Sequence, residues 1–131
     1  MKKKTAFLFI LTGAALLFAG CSAIQTANSS TFNGQRITAT GTGVAHISGS
    51  CSGLYLLWIP LITGSVENPN SIVFGEDSCN VNAVTSMVTA KSRSLGAAKT
   101  LDLVSTRESS TIPVFFCFRW RTVMVSGNAA N

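Results

Sequence analysis

From Arg36 to Ser48 the chain alternates with a period of two. Ile37, Ala39, Gly41, Gly43, Ala45 and Ile47 share one side, and Thr38, Thr40, Thr42, Val44, His46 and Ser48 share the other. That pattern, rich in threonine, predicts a strand. Its small residues predict an element packed very close to the inner face. The run "LYLLWIPLI" follows at 54–62. It is too short to cross a bilayer as a helix, and Pro60 is foreign to a central strand. The expectation is a buried strand that turns outward at Pro60. The alternative is an exposed apolar loop that touches lipid or a partner, with Trp58 among its contacts. Residues 63–79, rich in Gly, Asn, Pro and Ser, read as a long loop pinned in part by Ile72-Val73-Phe74.

A helix is predicted from about Asn80 to Leu95, because Val81, Val84, Met87, Val88 and Leu95 recur at helical spacing. Ser78 or Asn80 can cap its start, and Gly96 can close it in a left-handed conformation. Ser, Thr and Asn make the segment a poor helix in isolation, so it needs a sheet to pack on. Two strands complete the pattern, at 99–107 and 112–127, joined by a turn at "ESST". On the last strand Val114, Phe116, Phe118, Trp120, Thr122 and Met124 read as the core face. Phe115, Cys117, Arg119, Arg121, Val123 and Val125 then face outward. The fold class that results is α/β: a two-layer α+β sandwich with a mostly antiparallel sheet of about four strands and one helix packed on it.

The N-terminus changes the picture. Lys2, Lys3 and Lys4 precede an apolar run from Ala6 to Ala19 interrupted only by Thr12 and Gly13. A cationic start, a short apolar centre and a small-residue end form the plan of an export signal, and the run falls short of a comfortable membrane span. Ending in Ala19-Gly20-Cys21, the segment resembles the lipobox of bacterial lipoproteins, although Phe18 stands where that family usually has Leu. The resemblance implies cleavage between Gly20 and Cys21 and acylation of Cys21, which would hold the protein at a membrane through its acyl chains. Ser22, directly after it, implies the periplasmic leaflet of the outer membrane if the source has two membranes. The alternative is an ordinary secretory signal cut near Ala23. The domain reading is therefore a signal peptide over 1–20, a lipidated cysteine and flexible tether over 21–35, and a single domain over 36–131.

Cleavage would remove three of the ten basic residues and leave seven against five acidic ones. Much of the positive charge belongs to the signal, and Arg119 with Arg121 alone makes no basic stripe of the kind nucleic acid requires. Of four cysteines, Cys51, Cys79 and Cys117 remain as thiols, enough for one internal bridge with one left over. Spacing leaves all three pairings open. Cys51–Cys79 is favoured because both lie in polar, turn-like surroundings.

Candidate chemistry is sparse. His46 is the single histidine, and with Cys51 and Cys79 it lacks the paired close spacings of a zinc site. Glu76 and Asp77 are explained by a place near the helix start, where negative charge is favourable. There is no G-x-S-x-G elbow, and "TGTGVAHISG" is not a phosphate loop. Neither a catalytic residue nor a metal or other cofactor is expected. Arg119, Arg121 and Trp58 are the residues that could meet an anionic lipid, a glycan or a partner's carboxylates.

The signal, "SLGAAKTLDLV" (94–104) and "RTVMVSGNAA" (121–130) together resemble small bacterial lipoproteins of the TRL-like sort. Val125, Gly127 and Ala129 fit that family's V-x-G-x-A ending, while the helix is poorer in alanine than the family's. The resemblance implies the same fold class and brings no catalytic residues. The function expected is that of a non-enzymatic, membrane-anchored envelope lipoprotein binding a protein or lipid partner. An envelope stress or redox sensor is the alternative, and an enzyme of unknown type is a more remote one.

Overall fold

The structure is a computed structural model that describes residues 21–112 and 117–131. Eight strands and one helix are present among them: β1 (Ser22–Ala27), β2 (Thr31–Phe32), β3 (Gln35–Arg36), β4 (Gly43–Leu56), β5 (Ile59–Gly64), β6 (Ile72–Phe74), α1 (Val81–Ser94), β7 (Lys99–Thr111) and β8 (Phe118–Ala130). The chain is thus mixed α/β. Its principal sheet has six strands among the described residues, more than the four expected, in the order β6-β5-β4-β8-β7 with β1 also on β4. Each of its pairings is antiparallel.

β4 is the spine. β8 pairs along one side of it from Gly43 to Leu56. The other side is shared, with β1 against His46–Cys51 and β5 against Gly53–Leu56. The alternation of small and apolar residues continues well past Ser48, and the odd-numbered residues Ala45, Ile47, Cys51 and Tyr55 are buried under α1 and the connector that precedes it. The close approach expected from small residues occurs at Gly49, where a Cβ would lie 2.7 Å from Val88 Cγ2 and 2.8 Å from Met87 Cε. α1 sits on β4 and β8 through Val84, Met87 and Val88, against Ala45, Ile47, Val123, Val125 and Ala129. Asn80 caps it by accepting the Ala83 N–H at 2.8 Å, and Gly96 takes the left-handed φ of +80°.

Four expectations are corrected. The tether at 22–35 is not loose, since Ser22 to Ala27 form β1 and Asn33-Gly34 turn a small hairpin between β2 and β3. The chain ladder therefore begins one residue after Cys21. "ESST" is not a turn, because β7 runs straight through it to Thr111. The two faces of β8 are exchanged: Val123, Val125 and Ala129 are buried beneath α1, and Met124 is 46% exposed. Both faces of that strand are apolar, so alternation alone cannot choose between them. The helix selects the face whose small and β-branched side chains let it come close. Of the residues assigned to these faces, Val114, Phe115 and Phe116 lie outside the described residues. Finally, "LYLLWIPLI" is no single strand. It ends β4, turns at Leu57-Trp58 and begins β5. Pro60 is tolerated because β6 pairs with β5 only from Ile62 onward, so no β6 carbonyl is left waiting for its missing N–H.

Candidate functional site

Among the described residues, the most exposed apolar group is the tip of the β4–β5 hairpin. Leu56 faces Ile59 across a two-residue loop, and Leu57, Trp58 and Ile59 are 45%, 76% and 50% exposed. Two-residue loops that match strand twist need a left-handed residue, a place usually taken by Gly or Asn. Here Leu57 occupies it at φ +57°, a conformation that costs a side-chain-bearing residue about 1–2 kcal/mol. The turn is held from below by the Leu57 N–H, which donates to the Cys117 carbonyl at 2.6 Å. The apolar surface continues along the adjoining edge. Phe74 on β6 is 63% exposed and Ile72 is 44% exposed. Phe74 pairs with Ile62, which pairs with Leu54, so these residues share the face turned away from α1. Sequence reasoning had Ile72 and Phe74 pinning a loop; they are instead outward members of an edge strand.

Arg119 and Arg121, which the sequence groups with Trp58, have different fates. Arg119 is exposed at the hairpin end of the sheet, opposite Tyr55 in the β4–β8 ladder. Arg121 is committed internally. Its Nη1 donates to Asp77 Oδ2 at 3.2 Å, and its guanidinium lies 4.1 Å over the Tyr55 ring. Tyr55 in turn donates its hydroxyl to Asp77 Oδ1 at 2.5 Å. Burial, and then the Asp77 carboxylate, push the Tyr55 phenol well above its ordinary range. This cluster ties the connector before α1 to the sheet, and it accounts for Asp77 without acid–base chemistry. Glu76 is exposed, and its carbonyl accepts the Thr63 hydroxyl at 2.8 Å.

The cysteines separate into two kinds. Cys51 and Cys79 form a disulfide with an S–S distance of 2.09 Å and a Cα–Cα distance of 5.1 Å, and both are fully buried. Cys51 lies in mid-strand within the core rather than in the turn-like setting that its neighbours suggest. Cys21 and Cys117 are free and exposed. Cys21 sits where β1 and β5 meet end to end: its carbonyl accepts the Ser52 N–H at 2.8 Å, and its backbone abuts Gly64. Ser22 beside it is buried and donates its hydroxyl to the Ser65 carbonyl. Gly20 lies outside the described residues.

His46 is remote from all of these. Its Nδ1 is 2.7 Å from Asn128 Oδ1, and Asn128 Nδ2 donates to Asp102 Oδ2 at 3.1 Å and to the Ile37 carbonyl at 2.6 Å. The sequence gives no hint of this network, because its members are 26 to 91 residues apart. No nucleophile is held against it, and among the described residues no three His, Cys, Asp or Glu side chains gather as metal ligands. An open groove of about 720 Å³ runs between α1 and the segment 66–69, walled mainly by Ile24, Val66, Pro69, Ala83, Met87 and Ala90. Glu67, Ser86, Lys91 and Ser94 supply its polar lining. Among the described residues no helix is long and apolar enough to cross a membrane.

Compared with known proteins, the chain matches no family model, no curated protein and no solved structure.

Proposed function

We propose that the chain is a non-enzymatic envelope lipoprotein, anchored to a membrane through acylated Cys21, that engages a protein or lipid partner through the Leu57-Trp58-Ile59 tip. The observation that carries the reading is that tip: three large, uncharged side chains held in solvent on a turn where Leu57 adopts an unfavourable φ of +57°. A backbone outlier of this kind persists where the surroundings enforce it and is found most often at functional positions. Arg119 stands at the same end of the sheet and supplies a cation for an anionic headgroup or carboxylate. A helix layer on one side of the sheet leaves the other side free for contact. The export signal and lipobox-like ending place the protein in the cell envelope. In a two-membrane bacterium, Ser22 directs it to the periplasmic leaflet of the outer membrane. Ser22 also has a structural reason to be serine, its bond to Ser65. Against the redox-sensor alternative stands the burial of both Cys51 and Cys79, which denies a reductant access in the folded chain.

The test separates anchor from contact. Cys21→Ala should abolish fatty-acid labelling and move the protein from the membrane to the soluble fraction; undiminished membrane retention would refute anchoring at Cys21. Trp58→Asp with Ile59→Asp should fold with stability within about 0.5 kcal/mol of the parent, as exposed substitutions do, and should weaken recovery of cross-linked partners or lipid. A variant that misfolds instead would show the tip to be core.

A further inference from the structure

We infer that the domain lies directly on the bilayer, with β5 and β6 along the membrane plane and Trp58, Ile72 and Phe74 set into the lipid interface. This inference rests on the reading of Cys21 as the membrane attachment, and goes beyond it by assigning an orientation and by choosing lipid over protein as the occupant of the apolar edge.

The argument begins with slack. Ser22 is already in β1, bonded into the edge of β4, so the chain has no spacer between Cys21 and the fold. An anchor at Cys21 therefore fixes the surface around that residue at the headgroups. That surface is known. Cys21 abuts Gly64, and Gly64 pairs with Ile72 on β6. Two residues along the same strand is Phe74. At the far end of β5 stands Ile59, five residues from Gly64, or roughly 17 Å at strand spacing, and the tip with Trp58 adjoins it. Attachment point, edge and tip thus form one track.

The chemistry of the track fits an interface. Trp58, Leu57, Ile59, Ile72 and Phe74 carry no charge and are each at least 44% exposed. Aromatic rings concentrate at the headgroup level, where one side is apolar and the other wet. An acyl anchor that holds the domain at the surface raises the effective concentration of this edge near lipid, so modest apolar contact suffices.

The experiment uses the full chain expressed in cells and purified from their membranes, with Trp120→Phe so that Trp58 is the sole tryptophan. It is placed in phosphatidylethanolamine–phosphatidylglycerol vesicles whose acyl chains carry bromine, a contact quencher, and mass spectrometry scores acylation of Cys21 in the same sample. The expected result is strong quenching of Trp58 by the brominated chains, with a several-fold loss of quenching by aqueous iodide. Acylated Cys21 with a Trp58 that iodide reaches and bromine does not would leave the anchor standing and overturn the orientation. Trp58 shielded from both quenchers would also overturn it and assign the edge to a protein, including a second copy. Unacylated Cys21 would sink the anchor reading; the orientation would then fall if added vesicles failed to quench Trp58, and stand if they quenched it.

Discussion

At the scale of single residues, the chain shows how two neighbouring arginines acquire different roles. The sequence places Arg119 and Arg121 on one strand face and groups them as surface cations. What separates them is Asp77, 44 positions away from Arg121, and no local pattern announces that contact. Trp58 was legible as an apolar residue beside a proline, though its exposure was not, since burial of "LYLLWIPLI" depends on where the hairpin turns. The Tyr55–Asp77–Arg121 cluster makes a prediction about pH. Tyr55 is the chain's single tyrosine, and its phenol is raised first by burial and then by Asp77 above the ordinary value of 10.0. The folded state therefore keeps a proton that the unfolded state releases. The contribution of this group is complete below about pH 10 and declines as pH rises further, by about 1.4 kcal/mol per pH unit. In Tyr55→Phe, stability at neutral pH should fall by about 1.5 kcal/mol for the lost hydroxyl bond. The gap to the parent should narrow above pH 10. Phenolate absorbance in the near ultraviolet should rise only as the fold is lost. Phenolate appearing with an ordinary midpoint in the folded protein would contradict the cluster.

At the scale of elements, α1 was the most legible part, since periodicity, a capping asparagine and a terminal glycine agree on its limits. β4 and β7 were legible as alternating segments and misjudged in length, because strand ends are set by the partner's length rather than by the strand's own residues. β1 was hidden. "SAIQTA" has little apolar patterning, and its partners on β4 lie 19 (Ala27–His46) to 29 (Ser22–Cys51) residues away. The Asn33-Gly34 pair was a readable turn signal that the uncharged, polar composition of 22–35 obscured. The joint of β1 with β5 gives the test at this scale. A Cβ on Gly64 would lie 2.4 Å from both the Cys21 carbonyl carbon and the Ser22 nitrogen. Those atoms are backbone and cannot rotate away, so Gly64→Ala should push the start of β1 from its place at a cost of about 1–3 kcal/mol. Hydrogen exchange should show lost protection across Ala23–Ala27, with α1 amides affected only through global stability. Unchanged protection of β1 would mean that the joint is looser than its geometry states.

At the scale of the whole molecule, the described residues fold as one principal sheet with one helix laid across it. The sheet has a helix on one side; the uncovered face of its central strands is largely polar, with Ser48, Ser50 and Ser52 on β4 beside Thr122 and Ser126 on β8, and the exposed apolar side chains gather at the hairpin tip and on β6. What keeps such a small fold intact is the staple between its two layers. Cys51 belongs to β4 and Cys79 to the connector just before α1, so their disulfide joins sheet to helix across 28 residues. The pairing favoured on sequence grounds is the one found, yet the reason offered, turn-like surroundings, describes Cys79 alone. Cys51 earned its place through alternation, as one of the odd-numbered residues that β4 turns beneath the helix. Closing a loop of that length restricts the unfolded chain by about 3.5 kcal/mol. Replacing both cysteines by alanine should therefore lower the melting temperature by on the order of 20 °C. Because both sulfurs are fully buried, dithiothreitol in native buffer should reduce the bridge no faster than the chain unfolds, as thiol titration would show, whereas dithiothreitol together with urea should reduce it at once and release two further thiols. Rapid reduction of the folded protein would remove the structural explanation of the disulfide and raise the redox-sensor alternative above the partner-binding reading.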